Sequence, residues 1–398
     1  MNPDTPLRIL QGIRILSFTQ FLLGPAGVQY LADLGADVIK IEPPGGTLFE
    51  RNWAGCDLFL SGVSAFYLCA HRNQRSLTLN LKHPDGQAIA KRLVAGADVL
   101  VQNFRPGVMD RLGLSYKDLA PLNPRLIYVS ASAYGEKSTY RDRPGQDLLI
   151  QAMSGLAHIS GRGGDPPTAI GAPAVDQHGA ALLAMGVLAA LFDRTRTGRG
   201  QKVEVTMLRA ALDLQLEVVG YYLNGARMQK SPTSLASMVH PGPYGIYQTK
   251  DGYLALSMSP LPVLQDALQL PELAPLATER FNHPAREEIA RILEPVIRTR
   301  TTREWVEYLV PRGIWAAPVQ DYDAVFADPA VKEADVIEEV EHPVAGRIRL
   351  LRFPLELSSG RAECRRLPPM PGEHTEEILR ELGYDEAEVG RLQEQGVV

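Results

Sequence analysis

One acid in this chain has the surroundings that chemistry needs. Asp176 lies in the stretch AIGAPAVDQHGAALLAMGVLAALFDRTRTGRGQKVEVTML, residues 169–208. A short extended run, 169–175, broken by Gly171 and Pro173, precedes it. A small-residue helix pattern rich in Ala and Leu, 179–192, follows. That helix is expected to stop at Thr197-Gly198-Arg199-Gly200, and 202–207 alternates like a strand. Asp176 therefore falls where a helix N-cap is expected, and the orphan N–H groups and dipole there favour its carboxylate form. A capping acid needs no further role. Here, however, small residues leave room around the carboxylate. His178 is the residue nearest Asp176 in this segment that can also serve as nucleophile or base.

The elements that must position this acid can be read from periodicity. Residues 12–19 (GIRILSFT) form an apolar run of strand length. Gly24-Pro25 opens a helix through Leu34, and 37–42 (DVIKIE) reads as a second strand. This is a βαβ unit, so its strands are expected to be parallel with a right-handed crossover. Its first turn lacks GxGxxG, so an NAD-type dinucleotide site is not supported. Further strands are expected at 75–82, 97–101 and 125–132, with helices at 84–95, 109–113 and 116–123. In open α/β sheets the ligand crevice lies outside the carboxyl ends of the strands. The loops at 19–24, 103–107 and 133–147 all fall on that edge.

Downstream, a long helix over 209–223 leads into a polar stretch, 224–237, expected to be a linker. A hairpin over 244–257 turns at Lys250-Asp251-Gly252. Helices over 261–268, 286–299 and 302–311 and a strand over 314–319 complete a smaller α+β region. A second hairpin, 337–351, and a helix pair, 372–395, split at Gly383, close the chain. The expected fold is α/β: a doubly wound, mostly parallel, Rossmann-like sheet in a large domain, with a smaller α+β domain. The expected division is 1–223 for the first part of the large domain, 224–237 for the linker and 238–330 for the small domain. Residues 331–398 would return to the large domain.

With 398 residues, the chain is long enough for two hydrophobic cores. A hydrophobic content of 45% and a charged content of 22% suit a globular chain, and a net charge of −5 argues against general nucleic-acid binding. The N-terminus MNPDTPLRIL lacks the pattern of a secretory leader, and no apolar run is read as a membrane span. Cys56, Cys69 and Cys364 show no CxxC and no His at ligand spacing. They are read as buried thiols, no metal site is expected, and a cytoplasmic location is expected.

Several ordered motifs then carry a resemblance. They are GPAGVQYLADLGADVIKIE (24–42), QRSLTLNLK (74–82), DVLVQNFRPGVMDRLGL (98–114), RPGQDLLIQAMSG (143–155), PAVDQHGA with its helix to Leu191, TGRGQKVEVTML (197–208) and PGEHTEEILRELG (371–383). Across nearly its whole length the chain resembles the class III CoA-transferases, the CaiB/BaiF-like family of formyl-CoA transferase and carnitine CoA-transferase. The resemblance implies transfer of CoA from an acyl-CoA to a free carboxylate, with coenzyme A as substrate and no permanently bound cofactor. It also implies a homodimer of interlocked rings. Asp176 aligns with the family's nucleophile, which forms aspartyl anhydride and aspartyl-CoA thioester intermediates. Asp147 matches an acidic position near that nucleophile; read from its own neighbourhood, it is equally a helix cap before Leu148.

By the same resemblance Leu22, Leu23, Leu79, Lys82, Asn103, Phe104, Arg105 and Arg111 contact CoA, and Gln20 lies in the loop that faces the thioester. Arg105 and Arg111 suit phosphate by charge and fork geometry. One departure is Pro43-Pro44 after Glu42, where many relatives place a basic residue. The segment 237–245 (SMVHPGPYG) lacks the glycine-rich loop of the formyl-CoA branch. This points to a larger or dicarboxylic acid, with succinyl-CoA as the expected donor. Two alternatives stand beside transfer. An acyl-CoA racemase of the same fold has a His just before the acid matching Asp147, where this chain has Gln146. A CoA-binding protein without catalysis would need no Asp176.

Overall fold

The computed structural model describes residues 5–278 and 283–398. The first four residues of the N-terminal segment considered above lie outside them. The chain divides into two compact units, one of 1–150, 172–214 and 334–398, the other of 151–171 and 215–333.

The first unit is built on a sheet of six parallel strands: β1 (Arg14–Phe18), β2 (Asp37–Glu42), β3 (Gln74–Thr78), β4 (Val99–Gln102), β5 (Ile127–Ser132) and β6 (Lys202–Thr206). Their spatial order is 3-2-1-4-5-6. Ile15 pairs with Val38 on one side and Val99 on the other, so the order reverses at β1. This is the strand order of dinucleotide folds, in which the crevice opens at the carboxyl ends beside the reversal. The inner strands are covered on both faces and read as nearly continuous Val, Ile and Leu. One face carries helix α2 (Pro84–Ala95) and the C-terminal helices Thr375–Glu381 and Glu386–Glu394. Ile89, Leu93, Ile378, Leu379 and Leu392 join Leu16, Ile39, Leu77 and Leu100 in a single core there.

Two further helices of this unit, α1 (Leu23–Asp33) and α4 (Ala174–Thr197), pack closely through glycines. A Cβ on Gly27 would stand 2.9 Å from the Ala180 carbonyl, and one on Gly179 would stand 2.6 Å from Leu23 Cδ1. Backbone therefore approaches side chain at a distance only glycine permits. By length and composition α4 is also apolar enough to cross a membrane, which the sequence expectation did not register. Val175, Leu183, Ala184 and Val187 on its inner face are buried, whereas Met185, Leu188 and Phe192 are exposed.

The second unit holds a three-stranded antiparallel sheet, Gly245–Gln248, Tyr253–Leu256 and Ala316–Pro318, packed on helices Leu261–Leu268, Arg286–Ile297 and Thr302–Leu309. Trp305, Tyr247, Leu293 and Ile297 form its centre. The stretch expected as a linker, 224–237, is folded into this unit. Ser231, Thr233 and Ser234 are buried, and Ser234 donates from both its N–H and its hydroxyl to Glu294 Oε1 at 2.9 and 2.8 Å. Residues 151–171 belong here rather than with the sheet, because the Gly163 N–H donates to the Ser231 carbonyl and Lys230 Nζ to the Ser160 carbonyl.

Other local expectations are corrected. The helix expected to begin after Asp176 begins earlier, at Ala174 with Pro173 as its cap residue, so the expected extended run ends before residues 174 and 175. The helix expected over 209–223 breaks at Gln215 into α5 (Met207–Leu214) and Leu216–Leu223. The Gln215 amide instead donates to the Ser154 carbonyl at 3.2 Å. The cysteines are not buried thiols: Cys56 and Cys69 are exposed and Cys364 is half-buried, Cys56 in a turn with φ +57°.

Candidate functional site

The loops at the carboxyl ends of β1, β4 and β5 surround a cleft of about 810 Å³ in the first unit. Each loop is fixed by the sequence around it. After β1 the chain reverses through Phe21 at φ +61°, and α1 starts two residues later. Gly24 permits this tight return, since a Cβ there would stand 2.7 Å from Thr19 Cβ. Asn103, just past β4, bonds both backbone groups of Gln20: its Oδ1 accepts from the Gln20 N–H and its Nδ2 donates to the Gln20 carbonyl, each at 2.8 Å. Gln102 holds the next residue, its Oε1 accepting from the Phe104 N–H at 2.9 Å while its Nε2 donates to Ser130 Oγ at 2.8 Å. The loop after β5 is pressed back at Gly145, where a Cβ would fall 2.0 Å from that of Ala133. It then enters helix α3 (Asp147–Met153).

Asp147 and Asp176 both line the cleft. Asp176 is the third residue of α4, inside the first turn rather than at the cap. Its N–H donates to Asp147 Oδ2 at 2.9 Å. The two acids are thus joined through one peptide group. Burial, and after it the neighbouring Asp147 charge, push the Asp176 carboxyl up to about 7. The sequence expectation that the helix end would favour the ionised form is therefore reversed, because desolvation and a like charge outweigh the dipole. At neutral pH the group is poised between its two forms, a property that concentrates at functional sites.

His178, the other candidate in that segment, is not among the residues lining the cleft. Its Nε2 pairs with Asp213 Oδ2 on α5 at 2.7 Å, not with the backbone as a first-turn histidine commonly does. Gly179 is buried against Leu23 rather than lying open beside the acid.

Of the residues expected at CoA, the cleft gathers Gln20, Leu22, Leu23, Asn103, Phe104 and Arg105. Leu79 is in the core behind the sheet, and Lys82 and Arg111 are exposed outside the cleft lining. Arg111 nevertheless stays close to the β4 loop: its Nη1 is 3.3 Å from the position a Cβ on Gly107 would take. The basic residue missing after Glu42 is not replaced by Arg51. That guanidinium is committed to both Glu42 carboxylate oxygens at 2.6 and 2.7 Å.

Sequence reasoning missed one wall of the cleft. Phe49 and Trp53 stack at 5.6 Å, Phe21 lies 4.8 Å from Phe49, and Phe66 meets Trp53 edge-on at 5.0 Å. The available signal was the closely spaced aromatic pair Phe49 and Trp53 just after the second strand, without a helical period to place it. Arg141 and Arg143 in the β5 loop also line the cleft, and Arg143 lies over the Tyr140 ring at 3.6 Å.

A doubly wound sheet with paired acids at its reversal, beside an aromatic wall and arginines, is a site for an anionic, nucleotide-sized substrate handled by carboxylates. Comparison with known proteins makes this specific. The model of CoA-transferase family III matches residues 10–375, and the chain belongs to that family. It is 33% identical over 401 residues to human succinyl-CoA:glutarate CoA-transferase, covering 98% of this chain and 90% of the relative. It is 32% identical to succinyl-CoA–D-citramalate CoA-transferase of Chloroflexus aurantiacus, over the full length of both. A crystal structure of a CAIB/BAIF family protein from Brucella suis superposes with a TM-score of 0.80 at 28% identity, covering 95% of this chain and all of the other. The protein is an enzyme of the CoA-transferase class, a class that uses CoA thioesters as substrates.

Proposed function

We propose that this enzyme moves CoA from succinyl-CoA to a free carboxylic acid through covalent intermediates on Asp176. The observation that carries the reading is the placement of Asp176 in the first turn of α4, facing the cleft, with its carboxyl held near neutrality. The ionised carboxylate attacks the thioester carbonyl, giving a mixed anhydride and CoA thiolate. The thiolate attacks the Asp176 carbonyl, releases the donor acid and leaves an aspartyl-CoA thioester. The acceptor carboxylate repeats these steps in reverse order and regenerates Asp176. One activated bond is exchanged for another, so no nucleotide triphosphate is consumed. The helix N-terminus favours the negative charge that develops at each carbonyl oxygen. Asp147, bonded to the Asp176 N–H, fixes that turn and tunes the acid.

Two features support a dicarboxylic substrate. The relatives named above act on succinyl-CoA with dicarboxylic partners, as their names state. The cleft also carries Arg105, Arg141 and Arg143 with its two acids, which offers cations to a second carboxylate as well as to phosphate. CoA itself would lie along Leu22, Leu23, Asn103 and Phe104, with Arg105 and Arg111 for phosphate. Self-association into the interlocked homodimer is part of the proposal. It is supported by the exposed apolar side chains Met185 and Phe192 on α4, 60% and 67% accessible. Sedimentation at micromolar concentration tests the dimer, and a monomer would count against it.

The decisive experiment is chemical trapping. Enzyme incubated with succinyl-CoA and hydroxylamine is expected to acquire a hydroxamate on the peptide containing Asp176, with loss of activity. An unmodified peptide alongside undiminished transfer by Asp176→Asn would sink the assignment.

A further inference from the structure

Lys40 occupies the middle of β2, where a buried parallel strand is expected to be wholly apolar. Its side chain is fully buried. In register it pairs with Ser17 of β1 and Ser76 of β3, so a polar row crosses three neighbouring strands of the sheet. Burying an ammonium is costly unless it is paired and hydrogen-bonded. Burial indeed pushes the Lys40 amine below the usual lysine range, while Glu50 and Glu42 pull it back.

The two partners of Lys40 belong to segments that line the cleft at Gln20–Leu22 and at Phe49 and Trp53. Its Nζ donates to the carbonyl of Thr19, the residue just past β1 that begins the loop of Gln20, Phe21 and Leu22. The same Nζ lies 3.4 Å from Glu50 Oε1. Glu50 sits in the helical turn Phe49–Asn52, which carries Phe49 and leads to Trp53. Around this link the remaining charges are closed: Glu42 with Arg51, and Arg51 with the Tyr67 hydroxyl at 2.7 Å and with the Pro369 carbonyl at 3.0 Å. Within this cluster two buried atoms make no hydrogen bond among the described residues, Glu50 Oε2 and His71 Nε2, the latter 3.9 Å from Glu50 Oε1. A core optimised for stability alone would not leave them so.

We infer that Lys40 is a positioning residue for CoA transfer: by bridging the Thr19 carbonyl and Glu50 it sets the β1 loop and the Phe49–Trp53 wall in register at the cleft. Asn103 clamps the same loop one residue later, at Gln20, so the loop is held from two sides. The role is independent of which acyl group is transferred. It rests on the transferase reading only for its kinetic readout.

The test uses the full-length enzyme and a charge-balanced double variant. Lys40→Met alone strands Glu50 as a buried, unpaired charge, and misfolding would obscure its meaning. Lys40→Met with Glu50→Gln removes both charges and leaves Glu42–Arg51 intact. The double variant is expected to melt within a few degrees of wild type and to bind free CoA within threefold. Its kcat is expected to fall at least tenfold. Amide exchange across 19–23 is expected to speed at least tenfold, with exchange in β1 itself unchanged. A double variant that regains kcat along with stability would overturn the positioning role. So would unchanged exchange in that loop, and this measurement stands even if the wild-type enzyme transfers no CoA. Wild-type enzyme inactive with every acyl-CoA and acid pair would instead count against the transferase reading.

Discussion

The first unit contains two clusters of ionisable groups that solve opposite problems. At the cleft, Asp147 and Asp176 are like charges, half-buried, joined through one N–H, with no cation bonded to Asp176 among the described residues. Behind the cleft, Lys40, Glu42, Glu50 and Arg51 are opposite charges, sealed and nearly balanced. Burial acts on both. In the sealed cluster partners oppose it, outweighing it at Arg51 and offsetting it in part at Lys40. At Asp176 no cation among the described residues opposes it, and burial pushes that carboxyl up to about 7. The difference supports the proposed role of Asp176, because strongly perturbed carboxyls concentrate at functional sites.

Removing the reactive member of the open pair should have the largest effect. Asp176→Asn is expected to lower transfer at least about 10⁴-fold, because an amide cannot form the anhydride. Yet the same change should stabilise the fold at alkaline pH. Asp176 has a folded value near 7 against an ordinary 3.8. A raised acid contributes stability fully below its unfolded value and loses it as pH rises through the folded value. The variant should therefore gain on the order of 2 kcal/mol over wild type at pH 8, after allowance for solvent screening, and little at pH 4. Chemical denaturation at the two pH values measures this.

Breaking the sealed cluster should do the reverse. Arg51→Met removes the guanidinium that pairs both oxygens of the fully buried Glu42, leaving it only Ser76 Oγ and the field of Lys40. A loss of about 3–5 kcal/mol in unfolding free energy is expected. A cost below about 1 kcal/mol would mean that the pairing in this cluster adds nothing.

The contrast between the clusters also explains what the sequence could reveal. The sheet was legible because Val99 to Val101 and Ile127 to Val129 are short β-branched and aromatic-rich apolar runs bounded by polar or turn-forming residues. The βα unit beginning at Arg14 was legible for the same reason. Asp176 stood out because its neighbours are small. Its environment was not legible: Pro173 caps the helix in its place, and Asp147 is 29 positions away in the chain. Lys40 was visible as the odd residue in DVIKIE, but its partners come from the end of β1 and from a helical turn that no periodicity announces. The aromatic wall was missed because a four-residue turn, Phe49–Asn52, is too short to show a helical period. Residues 151–171 were misplaced because their partners, Lys230 and Ser231, lie in a stretch that reads as a polar linker.

The like-charge pair can be sharpened by changing its second member. Asp147→Asn keeps an acceptor for the Asp176 N–H but removes the repulsion that is the lesser cause of the raised value. The acid limb of the kcat/KM profile should move to lower pH by roughly half to one unit. Burial, the larger cause, remains, so the limb should stay well above 3.8. An unmoved limb would show that Asp147 does not act on Asp176 electrostatically.

Cations at the cleft edge should matter less. Arg105→Ala and Arg111→Ala are each expected to raise KM for acyl-CoA about tenfold with kcat nearly unchanged. A phosphate contact made equally in ground and transition states gives that pattern. Arg105 lines the cleft and Arg111 does not, so the larger effect is expected at Arg105. Wild-type CoA affinity in both variants would show that the nucleotide lies elsewhere.

The smallest effect is expected at His178, and it separates transfer from racemisation. A racemase needs a second base to move an α-proton, and Gln146 cannot act as one. His178 is the nearest substitute in sequence, two positions past Asp176. On a helix that offset turns the side chain to another face. Its Nε2 is bonded to Asp213, and that bond lies on the exposed side of α4. A partly exposed pair of this kind contributes about 0–1 kcal/mol. His178→Gln is therefore expected to leave kcat within about twofold and stability nearly unchanged. In deuterated water the wild-type enzyme should return acyl-CoA without deuterium at the α-carbon. A hundredfold fall in activity in the His178 variant, with α-deuteration by wild type, would transfer the assignment from a nucleophilic acid to a pair of bases.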